Sequence, residues 1–592
     1  MEITRIFDLL PHYAKNFNKP DAFAGKEDGV WVKYSTKTYL ETSNFISYGF
    51  LKLGVKKGDK IATITYNRPE WNFIDMGIQQ VGAINVPIYP TISESDYKYI
   101  LKHAEVKFVF VAGEDLFKKI EHILPEIPSI LDIYTFKNLH GQKHLNELIQ
   151  LGKDNPAPEL LESSKAKVQT EDIVTIIYTS GTTGDPKGVM LTHHNLISNF
   201  IAVSPIPKVG SNAKALSYLP LCHVYERMLN YMYQHLGVSV YYSENLAAIV
   251  ENINEASPDI LTTVPRLLEK IFHRINTKGH QLKGVKKKIF FWAMDLGFKY
   301  ELDNKNTWWY NFQLKIARVL VFKKWHEALG GNLKVIVSGG AALQPRLSRI
   351  FWAAGFAVLE GYGLTETSPV IAVSTFEKNC SQFGKVGPVL NGIQVKIAED
   401  GEILCKGPNI MKGYYKDEQL TREAKIDGWF HTGDLGNLDE YNVLQLTGRK
   451  KELFKTSFGK YINPSLIENK FKESSFIDNI IVVGENQKFA AALIVPDFND
   501  LRNWCENKGI EVSTNTELIN NPLIKKRFQK EVDFYNKFFG TTEQIKRYEL
   551  IDFEWSTFTG ELTPTLKLKR NYILNKYTHL LDKMFRTNEN GF

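Results

Sequence analysis

Short apolar runs rich in β-branched residues, at 61–65, 108–111, 173–178, 260–264, 333–338 and 356–359, alternate along this chain with longer amphipathic stretches such as 70–80 and 95–103. A strand covered on both faces reads as a continuous apolar run, and a parallel neighbour needs a crossover of a dozen residues or more, usually a helix. The alternation therefore predicts an α/β fold with mostly parallel sheets flanked by helices. At 592 residues the chain is also too long for one core. Near position 448 the pattern changes to short runs at 480–483, 490–495 and 548–553 with helical patterns at 464–472 and 522–539. That predicts a smaller α+β unit, so the expected domains are 1–448 and 449–592. The polar, Pro-containing stretch 155–167 reads as a surface connector before the strand at 173.

Composition narrows the class. Hydrophobic residues at 43% and charged residues at 23% exclude a largely disordered chain. Cys222, Cys380, Cys405 and Cys505 lie far apart, with neither disulfide-framework nor metal-ligand spacing, which predicts a reducing compartment. The first 17 residues lack the apolar core of a signal peptide, and no apolar run approaches the ~18 residues that span a bilayer. The expectation is a soluble cytoplasmic protein, with the inner membrane surface as a place it could touch. Charge is uneven: 264–350 holds 17 Lys or Arg against 5 Asp or Glu, while the whole chain is only +7. Within 283–326 the basic residues mix with Phe, Trp and Tyr. Two readings stay open there, a membrane-binding surface and a solvated basic face over an ordinary helical core.

The run Tyr178-Thr179-Ser180-Gly181-Thr182-Thr183-Gly184-Asp185-Pro186-Lys187-Gly188 follows the apolar run at 173–178. Glycines let backbone N–H groups turn toward an anion, hydroxyls add donors, and lysine adds charge. It is a phosphate loop by composition. It is not a Walker loop, because Lys187 stands between Pro186 and Gly188 where that motif has Gly-Lys-Ser/Thr.

This loop resembles the signature of the adenylate-forming (AMP-binding) enzymes, and the family's other motifs follow in order. Ser338-Gly339-Gly340-Ala341-Ala342 resembles the adenine-pocket turn. Glu360-Gly361-Tyr362-Gly363-Leu364-Thr365-Glu366-Thr367 resembles the adenine and metal motif, and 428–434, ending in Asp434, the ribose motif. Gly448-Arg449-Lys450-Lys451-Glu452 resembles the interdomain hinge, and 562–570 the C-terminal lysine motif.

The resemblance implies a small mobile C-terminal domain and a two-step reaction. A carboxylate attacks the α-phosphate of ATP, giving acyl-AMP and pyrophosphate, and a thiol then takes the acyl group. It assigns Thr179, Ser180, Gly181, Thr182, Thr183, Gly184 and Lys187 to phosphate. Gly340, Ala341, Glu360, Gly361, Tyr362 and Gly363 go to the adenine region, with the Tyr362 ring stacking. Thr365 would donate to the α-phosphate. Glu366 would ligate Mg²⁺, sharing it with Thr179 or Ser180. Asp434 would accept from the ribose hydroxyls, with Arg449 beside it. Lys567 is preferred to Lys569 as the lysine bridging carboxylate and phosphate; Thr565-Leu566 replaces the family's usual Ser-Gly before it. Lys451 would be the hinge, and 455–462 the loop swung in for the thiol step. Phe458-Gly459 stands there in place of Gly-Gly.

Leu219-Pro220-Leu221-Cys222-His223-Val224-Tyr225-Glu226-Arg227 resembles the long-chain fatty acid branch, with His223 near the substrate carboxylate. Arg227 stands where some bacterial relatives carry an aromatic gate. Val264-Pro265-Arg266 with Glu269-Lys270, and the stretch of about sixty residues after it, resemble the same branch. The expected substrates are ATP, a long-chain fatty acid and CoA, with no nucleic-acid partner. Alternatives are a fatty acyl-AMP ligase serving a carrier protein, another carboxylate–CoA ligase, or a catalytically silent membrane-associated relative.

Overall fold

The computed structural model describes residues 2–179, 185–245, 247–556, 558–563 and 567–586. The buried apolar runs form the centres of two sheets. A seven-stranded sheet runs in the order Gly413–Tyr414, Lys187–Thr192, Ile173–Thr179, Ile84–Pro87, Lys60–Ile64, Val106–Val111, Asp132–Thr135. Its first two junctions are antiparallel and the others parallel. An eight-stranded sheet runs Val370–Val373, Ala357–Gly363, Val335–Ser338, Ile260–Thr263, Lys214–Ser217, Ser239–Tyr242, Phe23–Glu27, Val30–Tyr34, antiparallel only at its two edges. Helices Pro69–Gln80, His193–Val203 and Val224–Leu236 contribute side chains to one continuous core with strands of both sheets.

A third sheet is antiparallel throughout and departs from the expected mostly parallel arrangement. It comprises Gly387–Pro388, Val443–Arg449, Trp429–Leu438, Glu402–Lys406 and Gln394–Ile397, with Lys425–Ile426 at its side. The stretch 155–167 is a second departure. Pro158 opens a helix, Pro158–Ala166, held by buried Leu161, where a connector was expected. Proline at the first helical position has the required φ and loses no hydrogen bond there.

Beyond Arg449 a single 3₁₀ turn, Lys450–Glu452, leads into the small C-terminal unit. Its sheet pairs Ile477–Val483 antiparallel with Ala490–Pro496, which pairs parallel with Ile545–Leu550. This unit has its own apolar core. It docks on the large one through the helix Pro265–Gln281, where Arg266 pairs with Asp478 and His273 Nδ1 lies 3.2 Å from Asp500, and through Gln344, at the start of the helix Pro345–Ala354, which donates to the Lys472 carbonyl at 2.9 Å.

Candidate active site

A cavity of about 2130 Å³ lies where the two large sheets, the antiparallel sheet and the small unit meet. Thr179, Lys187, His223, Gly340, Gly361, Tyr362, Gly363, Thr365, Glu366, Arg449, Lys451 and Lys567 all line it. Residues more than three hundred positions apart are thus brought to one wall. Ser180, Gly181, Thr182, Thr183 and Gly184, like Pro564, Thr565 and Leu566, lie outside the described residues. The strands flanking the first of these segments stay paired up to Thr179 opposite Lys187, so both ends of the loop are anchored at the cavity.

The strand Ala357–Gly363 delivers Tyr362, whose hydroxyl donates to Asp434 Oδ2 at 2.8 Å. Arg449 Nε donates to Asp434 Oδ1 at 2.8 Å, because Asp434 and Arg449 are register partners on adjacent strands. Asp434 is buried behind these two residues and is not itself on the cavity wall. Glu360 and Ala341 are also off the wall. The Glu360 carboxyl is buried next to Ser348, and burial pushes its pKa up to about 8. Glu360 pairs with Ser338 across the parallel sheet, and its carbonyl accepts from the Ser374 N–H at 2.8 Å. Both contacts tie its backbone into the sheet. Glu366 faces the cavity with one oxygen accepting from Tyr414 at 2.9 Å. Tyr414 also lies 5.9 Å under the Lys187 ammonium.

His223 caps the helix Val224–Leu236. Its Nδ1 accepts from the Tyr225 N–H at 3.1 Å, which leaves the proton of the neutral ring on Nε2. Burial, together with the nearby Lys567 ammonium, lowers its pKa to about 4, so the ring is neutral at physiological pH. Lys567 sits in a short ladder in which Thr563 N–H donates to the Lys567 carbonyl and Lys569 N–H to the Glu561 carbonyl, both at 2.8 Å. Arg570 anchors its base on Glu468 at 2.5 Å. The Lys567 side chain is open to the water of the cavity yet walled in by protein. Burial and Arg449 lower its pKa, while Asp434, Glu452 and Glu366 raise it. Lys569 lines the cavity too, but Lys567 is the lysine bearing on both His223 and the Arg449–Glu366 end.

Glu226 and Arg227 are fully buried and absent from the cavity wall. Arg227 pairs with Asp75 at 2.5 Å and donates to Thr175 at 2.6 Å and Tyr231 at 2.8 Å. Asp75 also accepts from Tyr231, Gln79 and Asn85. The pair clamps the helix bearing His223 to the seven-stranded sheet. Glu226, pushed by burial to about 7, accepts from Ser217 and Thr262 of the other sheet.

A family model described as AMP-binding enzyme matches residues 12–415, and its companion, the AMP-binding enzyme C-terminal domain, matches 452–589. The chain belongs to the AMP-binding enzyme family. It is 31% identical over 564 residues to a long-chain-fatty-acid–CoA ligase of Mycobacterium bovis, covering 94% of this chain and 93% of that protein. It is 32% identical over 623 residues to the peroxisomal long chain acyl-CoA synthetase 7 of Arabidopsis thaliana, covering 99% of this chain and 87% of that one. Among solved structures, a fatty acyl CoA synthetase of Mycobacterium tuberculosis superposes with a TM-score of 0.61 at 19% identity, covering 98% of this chain and 99% of that one. The adenylation domain of a carboxylate reductase from Mycobacterium chelonae gives 0.76 at 18%, covering 98% and 91%. At those identities the structural matches speak for the fold.

Sequence reasoning missed Tyr414 as the partner of Glu366, and the Arg266–Asp478 contact between units. No local motif signals either. It also left the apolar lining unassigned. Met228, Leu229 and Met232, on one face of the helix capped by His223, line the cavity with Val203, Ile206, Val370 and Val373.

Proposed function

We propose that this family member is an AMP-forming long-chain fatty acid–CoA ligase. It uses ATP to convert the acid to acyl-AMP, releasing pyrophosphate, and transfers the acyl group to CoA. The observation that carries this reading is the row of apolar side chains, Met228, Leu229 and Met232, that faces the cavity from the helix capped by His223. At about 1.5 Å rise per residue, Met228 and Met232 lie roughly 8 and 13 Å along the helix from that residue. Along that helix the order is a neutral imidazole with an Nε2–H, then methionine and aliphatic side chains, which we read as an apolar arm with the substrate carboxylate at the His223 end. Each buried methylene contributes about 0.8 kcal/mol, so such an arm selects by chain length. The full-length relatives named as long-chain ligases support the same substrate class.

In this reading Lys567 neutralises charge between the carboxylate and the α-phosphate, two anions that must meet for the first step. Thr365 donates to the phosphate. Lys187 and the loop at 180–184 hold the outer phosphates, and Gly340, Gly361, Tyr362 and Gly363 shape the adenine slot. Asp434 reaches the ribose once it exchanges its bond with Tyr362 or Arg449 for one with a ribose hydroxyl. Lys451 is the pivot at the 448/449 domain join, and its rotation would replace Lys567 with the loop 455–462 for the thiol step.

Magnesium fits the donors present. Glu366 has one carboxylate oxygen beyond that bonded to Tyr414, and Mg²⁺ commonly takes one or two carboxylates together with substrate phosphates and water. Glu366 and Ser180 would hold it, and the ion would neutralise phosphate charge. We also read the enzyme as cytoplasmic and peripheral at the inner membrane surface, with the stretch 283–326 as the contact. Among the described residues no helix is long and apolar enough to cross a membrane.

The test is pyrophosphate release with ATP and Mg²⁺ over saturated acids from short to very long, with and without CoA, and product identified by mass. Long-chain-dependent acyl-CoA formation is expected. Pyrophosphate without thioester would transfer the reading to a carrier-protein acceptor. No turnover on any fatty acid would overturn it.

A further inference from the structure

The helix Trp308–Ala317 and the π turn that continues it, Arg318–Phe322, are apolar on two opposite sides. One side carries Leu314, Ala317 and Val321, which with Trp325 of the following helix Lys323–Ala328 are buried in a core shared with the helices Gly284–Gly297 and Pro345–Ala354. The position is fixed by Tyr310 donating to the Leu296 carbonyl at 2.7 Å and Arg318 Nε donating to the Ala353 carbonyl at 2.8 Å. The other side is uncovered. Trp308 is 78% exposed, Trp309 53%, Phe312 50%, Val319 69% and Leu320 49%. Trp309 stacks on Phe312 at 5.6 Å and meets Trp308 edge-on at 5.6 Å, so the rings form one ridge. A helix apolar all round is normally covered all round.

The charge around the ridge tells what covers it. Lys315 is exposed on the same helix, Lys323 and Lys324 on the helix Lys323–Ala328 that follows directly, where Lys323 lies 3.9 Å from Glu327, and Lys286 and Lys288 on the neighbouring helix. A protein partner would need a matching acidic groove. A bilayer with anionic headgroups supplies the negative surface and the apolar interior together, and tryptophan suits the boundary between them. We propose that this face docks on an anionic bilayer, with Trp308, Trp309 and Phe312 inserted and the lysines on the headgroups. This rests on the peripheral ligase reading above and names the surface and lipid chemistry for it. The aromatic ridge belongs to the outer face of its helix and not to the substrate cavity, so it acts in recruitment and leaves the chemistry alone.

The test is co-sedimentation of the full chain with vesicles of phosphatidylcholine alone or with about one-third phosphatidylglycerol. Turnover of a short, water-soluble acid is measured in parallel. Binding is expected to anionic vesicles only. It should fall about tenfold or more in Trp308→Ser/Trp309→Ser/Phe312→Ser, and at high salt in the parent, since headgroup attraction is screened beyond ~10 Å at 0.1 M salt. Soluble-acid turnover should be unchanged in the variant, which also shows that it folds. Lys315→Glu/Lys323→Glu/Lys324→Glu should lose binding with the rings intact. Undiminished binding in the ring variant overturns this face while leaving peripheral association standing. No binding by the parent overturns both and leaves the ligase reading untouched. A parent that dimerises while the ring variant stays monomeric assigns the face to a second copy and overturns the lipid assignment.

Discussion

Lys567→Ala is the sharpest test of how the two units cooperate. Lys567 bears electrostatically on both His223, at the start of the helix that carries Met228 and Met232, and the Arg449–Glu366 end. Removing one preorganised cationic donor aimed at developing charge costs about 10²–10³ in rate. We therefore expect acyl-AMP formation, followed by pyrophosphate release, to fall by that factor. Thioester formation from supplied acyl-AMP should survive in large part if, as proposed, that step uses another orientation of the small unit. Lys569→Ala serves as the control, with a loss of less than about tenfold expected. The pH profile adds an independent sign. Burial and Arg449 hold the Lys567 ammonium below the usual lysine value. Adenylation should be full below that lowered pKa and lost as pH rises through it, whereas Lys567→Arg, which stays charged, should lose the alkaline fall. Removing the ammonium should also let the His223 pKa rise from about 4, read by NMR of the ring. Equal losses in both half-reactions, or a loss confined to Lys569→Ala, would refute the reasoning.

Four further variants probe other parts. Glu366→Gln should raise the Mg²⁺ concentration needed for half-maximal adenylation, and an unchanged magnesium titration removes Glu366 from the metal site. Lys451→Pro should keep pyrophosphate release but abolish acyl-CoA formation, and normal overall turnover refutes the hinge. Met232→Trp should shift the chain-length optimum to shorter acids, because each methylene excluded from the arm costs about 0.8 kcal/mol, roughly fourfold. Arg227→Met should destabilise the protein by about 3–5 kcal/mol in thermal or urea unfolding, by leaving the buried Asp75 without its ion-pair partner; adding Asp75→Asn should recover part of it.

Most of the strands that sequence alone located are buried on both faces. The run at 260–264 becomes Ile260–Thr263, and 173–178 becomes Ile173–Thr179, because a covered parallel strand writes itself as uninterrupted apolar sequence. The antiparallel sheet was illegible for the complementary reason. Gln394–Ile397 alternates between exposed and partly buried positions. Trp429–Leu438 contains Gly433 at φ +72° and a register shift at Leu435–Gly436, which read as turn chemistry. There the Gly436 backbone must approach the Gln445 carbonyl so closely that a Cβ would lie 2.5 Å from it. A glycine that marks a turn in the sequence thus marks a close strand pairing in the fold.

At the site, what was legible was the type of residue that chemistry requires; what was not was the partner that aims it. Glu366 could be named as a carboxylate, but Tyr414, 48 residues on, is what holds one of its oxygens. Glu226 and Arg227 show the reverse. They were noticed as a mark of the long-chain branch beside His223, yet neither lines the cavity. Between them they tie the helix capped by His223 to both large sheets, Arg227 through Asp75 and Thr175, Glu226 through Ser217 and Thr262. That gives a physical reason for such a pair to accompany a His at the carboxylate position. In the proposed role the imidazole needs its helix start fixed against both sheets, and a bulky cation and a carboxyl facing opposite ways from adjacent positions do that. An aromatic at position 227 could fill the space but could not carry the charge that Asp75 needs, so a gate there and this clamp exclude each other.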